Sequence, residues 1–145
     1  MLNSDHSTRL LVEKDVVIDA LTERINLGEE LLLQKISNKD DLAQAKVDWV
    51  KWYRYNLHLM LSFFSDISPK RKIEIPCLRG YYYDTFEEDV SDFRLTVNRS
   101  IQKLNEFIKN DISQYQECLE VSYNVQESQE KSILVEKYTY EFIKK

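Results

Sequence analysis

Residues 39–66 read KDDLAQAKVDWVKWYRYNLHLMLSFFSD, and this stretch decides the fold. Leu42, Ala45, Trp49, Trp52 with Tyr53, Asn56 with Leu57, Met60, and Phe63 with Phe64 recur at steps of three and four. That is the period of one face of an α-helix. The spacing predicts one long amphipathic helix over 39–66, with Trp49 and Trp52 in the core and Tyr55 directed elsewhere. Ser37-Asn38-Lys39-Asp40 marks its start, and the charges of Asp40 and Asp41 suit the positive end of the helix dipole.

Upstream, Val17, Ala20, Leu21, Ile25, Gly28, Leu32 and Ile36 carry the same period and predict a first helix over 14–36. A glycine inside a helix costs about 1 kcal/mol relative to alanine. Gly28 therefore predicts either a close approach by a neighbouring helix or large side chain, or a local bend. A short link between two such helices makes an antiparallel hairpin over 14–66. Residues 1–13 read as an arm whose Leu10-Leu11-Val12 tucks onto the core.

Downstream, residues 67–83 hold both prolines and one of the two glycines of the chain, and are expected to be irregular. A connection of that length without regular structure is often functional. Asp84-Thr85-Phe86-Glu87 has the form of a capping box and opens a third helix, with Glu87, Glu88 and Asp89 complementing its dipole. Phe86, Val90, Phe93, Val97, Ile101, Leu104, Ile108, Ile112, Tyr115 and Leu119 continue at helical steps. This helix is expected to span 84–119 or to break near Asn110-Asp111. In the 120–145 extension, Ile133, Val135, Tyr138, Tyr140 and Phe142 fit strand alternation, whereas Ile133, Lys137 and Tyr140 fit a helix. Without a second clear strand to pair with, the helix is the preferred reading. The expected fold is all-α: a single helical bundle over 1–145, made of a long hairpin and a long third helix.

Composition excludes several functions. The 145 residues carry a net charge of −5, so no global basic field gathers nucleic acid, which is an unexpected partner here. Cys77 and Cys118 lack CxxC spacing and read as reduced thiols. No basic, then apolar leader opens the chain, and Leu57–Phe64 is about half of a membrane span. A cytoplasmic protein without membrane contact is expected. His6 and His58 lack a partner at ligand spacing, and no phosphate-cradling or nucleophile motif occurs. Neither a catalytic residue nor a metal or cofactor site is expected.

One cluster could bind a ligand or partner. Lys70, Arg71 and Lys72 precede Arg79 and Tyr81-Tyr82-Tyr83, and basic residues interleaved with aromatics can pair with phosphates and stack on bases. The alternative is a solvated loop whose tyrosines pack on the hairpin.

Leu10-Leu11-Val12, Leu21-Thr22-Glu23-Arg24-Ile25, Gly28-Glu29-Glu30-Leu31-Leu32, the run Trp49-Val50-Lys51-Trp52-Tyr53-Arg54-Tyr55-Asn56, then Leu57 and Phe63-Phe64 together resemble a helical module of bacterial abortive-infection proteins. That module stands upstream of TIR-like predicted nucleotide-binding domains. The resemblance covers residues 10–66 and implies a helical adaptor or assembly module in phage defence. No αβ alternation of a TIR-like domain follows within the 145 residues. The expected function is a non-enzymatic protein-interaction or oligomerisation module. It would pair with itself, as a homo-oligomer, or with a defence-system protein, through the third helix or the aromatic face of the second. Nucleotide or nucleic-acid binding by the 70–83 cluster is the alternative.

Overall fold

The computed structural model describes residues 8–76 and 85–117. In chain order they form β1 (Arg9–Leu10), α1 (Lys14–Leu33), α2 (Lys39–Phe63), α3 (Ser68–Ile73), α4 (Phe86–Glu106) and β2 (Gln116–Glu117). The fold is an all-α bundle, in which the described residues supply three long helices, one short helix and a minimal strand pair. Cys77, Arg79, Tyr81, Tyr82, Tyr83, Asp84, Cys118 and the 120–145 extension lie outside the described residues.

Cross-helix bonds give the directions. Arg24 meets Asn56 while Gly28 meets Trp52, so α1 and α2 run antiparallel, as the hairpin requires. Gly28 also meets Ile101, and Arg94 reaches the Gln34 carbonyl, so α1 is antiparallel to α4 as well. Lys46 pairs with Asp89 and Trp49 with Ser100, which sets α2 and α4 parallel. The apolar stripes converge on one core that includes Leu21, Trp52, Met60, Val97 and Leu104.

Local chemistry explains the element ends. The Asn38 side chain accepts from the Asp41 N–H, and the Asp41 carboxylate reaches back to the Ser37 N–H, satisfying donors that the α2 terminus leaves open. Thr85, not Asp84, caps α4, accepting from the Glu88 N–H at 3.1 Å. The 67–83 connection is not irregular throughout. Ser68–Ile73 is helical, with a proline in its first turn, where a missing N–H costs nothing.

Beyond Glu106 the chain widens into a π turn over Phe107–Asp111, then tightens into a 3₁₀ turn over Ile112–Gln114. The third helix thus breaks at the Asn110-Asp111 alternative. The wide turn adds a residue and shifts the buried phase. Phe107 and Ile112 fill the core, while Ile108, expected there by continued helical steps, is half-buried.

Candidate functional site

Among the described residues, four places carry more chemistry than packing alone requires: the α1–α2 contact, the basic α3 turn, and each of the two ends of the hairpin.

At the α1–α2 contact lies a buried cation. Arg24, 4% exposed, falls three residues after Leu21 and four before Gly28, so helical spacing puts it on the buried stripe. Its Nε donates to the Asn56 Oδ1 at 2.8 Å and an Nη to the Trp52 carbonyl at 3.2 Å. Its guanidinium lies 4.2 Å from the centre of the Tyr55 ring. The Trp52 indole returns a bond to the Arg24 carbonyl at 2.8 Å. No carboxylate among the described residues forms a salt bridge with Arg24. Burial therefore pulls its pKa down to about 10, against the opposing influence of Tyr55 and Glu23. The sequence reading missed this centre because it counted only apolar residues in the α1 stripe, leaving Arg24 out, and directed Tyr55 elsewhere. Tyr55 is buried, since α2 faces both α1 and α4 and hides a wider arc than one stripe. The arrangement fixes the register of the two helices through directional bonds.

Gly28 makes the same contact possible. A Cβ there would stand 2.6 Å from the Trp52 ring and 2.9 Å from Ile101. The glycine is a close-approach site for two side chains, and α1 passes through it as continuous helix.

The candidate ligand cluster is divided. Lys70, Arg71 and Lys72 share α3. Lys70 pairs with Glu74 at 3.8 Å and Lys72 with Asp111 at 3.4 Å, so two of the three cations already face carboxylates. Arg71 is exposed and without a carboxylate among the described residues. Arg79, Tyr81, Tyr82 and Tyr83 lie outside the described residues, so the structure assembles no phosphate-and-stacking site from this cluster. His58 is exposed on α2. Among the described residues no group of three His, Cys, Asp or Glu side chains could hold a metal ion. No described helix is long and apolar enough to cross a membrane.

The hairpin ends differ in character. At the α1–α2 turn, Leu31, Leu32 and Ile36 are half-buried and Leu33 is 84% exposed, so four apolar residues within six positions leave apolar surface in water. Nearby, the buried Gln34 Oε1 lacks a hydrogen-bond partner among the described residues. The other exposed large apolar residues among those described stand far apart in sequence: Val47 and Leu61 on α2, fourteen residues apart, Ile67 before α3, and Leu95 on α4. The α4 stripe is consumed by the core, and of its outward positions Glu88, Ser91, Leu95, Arg99 and Gln102 only Leu95 is apolar.

At the opposite end, Phe64, Phe107 and Tyr115 form an aromatic trio with ring centres 5.0–6.0 Å apart. Leu10 is fully buried at this end. Desolvation first, then Asp111 and Asp66, raise the Tyr115 pKa above the usual phenol value. Comparison with protein-family models, curated proteins and solved structures gave no match.

Proposed function

We propose that the chain is a non-enzymatic protein-interaction module that docks a partner, in the simplest case a second copy of itself, through the α1–α2 turn. One observation carries the reading: Leu33 stands 84% exposed within the incompletely buried run Leu31, Leu32, Leu33 and Ile36. Burying one leucine side chain is worth about 1.5–3 kcal/mol, and several together can sustain a specific contact. Single exposed apolar residues are ordinary on a protein surface, which is why Val47 and Leu95 carry no such weight. Size exclusion with light scattering, over a wide concentration range, tests the proposal. Self-association that Leu33→Glu abolishes, with helix content unchanged, is the expected result. A wild-type chain that stays monomeric throughout and is indistinguishable from Leu33→Glu contradicts it.

The resemblance of residues 10–66 to a module of abortive-infection proteins supports a role in bacterial phage defence and a cytoplasmic setting. Plaque counts on bacteria expressing the wild-type chain test that role. A reduced count lost in Leu33→Glu is expected, and equal counts with and without the chain oppose it.

A further inference from the structure

The end of the bundle opposite the α1–α2 turn is closed by a strand from far away in sequence. Residues 9–11 lie between two segments. On one edge the Leu11 N–H donates to the Phe63 carbonyl at 2.8 Å and the Ser65 N–H to the Arg9 carbonyl at 2.9 Å, with Leu10 opposite Phe64. On the other edge Arg9 and Leu10 run parallel to Gln116 and Glu117. Alternation explains this double use: successive residues of a strand offer their N–H and C=O groups to opposite edges. The Arg9 N–H adds a bond to the Ser65 Oγ, and the Thr8 hydroxyl lies 2.8 Å from both Asp66 carboxylate oxygens. The fully buried Leu10 side chain plugs the slot.

These bonds fasten the arm to the ends of α2 and of the α4 continuation. The connection between arm and α1 is short: Val12 is buried in the core with the arm, and Glu13 alone separates it from Lys14. Glu13 at the start of α1 is extended and makes no side-chain cap. The cap comes from elsewhere, the Lys14 N–H donating to the Glu117 Oε1 at 3.0 Å. A change of direction at Glu13 therefore breaks no side-chain cap, and Lys14 can keep its bond to Glu117.

We infer that the arm exchanges between two copies, residues 8–12 of one chain filling the slot between Phe63–Asp66 and Gln116–Glu117 of the other. The slot's occupant defines the partner: a groove that takes this strand within one chain takes the same strand from an identical chain, with the same bonds and the same leucine plug. The cis and trans forms then differ in the hinge and in the effective concentration of the arm, so concentrated refolding favours exchange. This contact is separate from the α1–α2 turn, and neither depends on the other.

The test uses two full-length chains, both with Cys77→Ser and Cys118→Ser, one carrying Arg9→Cys and the other Ser65→Cys. Neither can close an arm-to-slot disulfide within itself. They are unfolded in urea, mixed, refolded together at high and low protein concentration, oxidised, and resolved on a non-reducing gel. A covalent heterodimer is expected, several-fold more abundant after concentrated refolding than in either chain alone, and unchanged when both also carry Leu33→Glu. The double variant Arg9→Cys/Ser65→Cys, refolded dilute, serves as control by closing the bridge within a monomer. If that control closes and the mixed chains give no heterodimer above the single-chain background, exchange is overturned. Dimers seen by light scattering without the covalent link also overturn it, while leaving association through Leu33 standing.

Discussion

Gly28 and Arg24 are the residues on which the α1–α2 contact turns, and each makes a prediction of its own. Gly28→Ala gains about 1 kcal/mol of helix propensity. It also drives a methyl into the Trp52 ring and Ile101, and overpacking of this kind costs about 1–3 kcal/mol. The ring cannot yield freely, because its indole is bonded to the Arg24 carbonyl. A net loss of stability is expected in urea unfolding, and a gain would contradict the close approach. For Arg24, the charge itself is the expensive component, since it is buried without a carboxylate. Arg24→Met leaves the Asn56 Oδ1 buried and without its donor, a cost of about 1–3 kcal/mol. Adding Asn56→Leu should recover most of that loss in a double-mutant cycle; strictly additive losses would mean that the two side chains are uncoupled. The sequence made Gly28 legible, because a glycine in a helical stripe asks for a neighbour. Arg24 and Tyr55 were hidden by their chemistry. A periodicity reading discounts a charged residue, and it assumes one buried face on a helix that has two.

Elements that depend on distant pairing were the least legible. Two-residue strands show no alternation, so nothing in Arg9-Leu10 or Gln116-Glu117 announces a ladder. The π turn after α4 likewise follows from fitting Phe107 and Ile112 into the same core, which local propensity does not encode. Ser68-Pro69 did carry a helix-start signal, which the reading did not use because it took the prolines and glycine of 67–83 as marks of an irregular segment. The arm also has a pH signature. Backbone bonding to the Ser68 N–H, with help from Thr8, holds the Asp66 pKa below the usual carboxylate value. A lowered folded-state value means that this carboxylate contributes stability above the unfolded pKa of about 4, and that the contribution is lost as pH falls through the folded value. The melting temperature of wild type should therefore fall towards that of Asp66→Asn as the pH drops from neutrality to about 2.5. A constant gap across that range would assign the difference to something other than ionisation.

At the scale of the whole molecule, the helical period was enough for the fold class, the hairpin and the buried tryptophans. The contact surface was not legible in the same way. A third helix rich in apolar residues suggested spare stripe for a partner, yet α4 spends that stripe on α1 and α2 and turns outward a face on which Leu95 is the one apolar residue. Among the described residues the most exposed large apolar side chain is at the end of α1, where Leu33 runs past the neighbours that could cover it. Amide hydrogen exchange, compared at dilute and concentrated protein, examines that surface directly. The proposed contact predicts slower exchange in the concentrated sample over residues 31–36, with the outward side of α4 unchanged and the difference absent in Leu33→Glu. Identical exchange over 31–36 at both concentrations, or protection confined to α4, would contradict it.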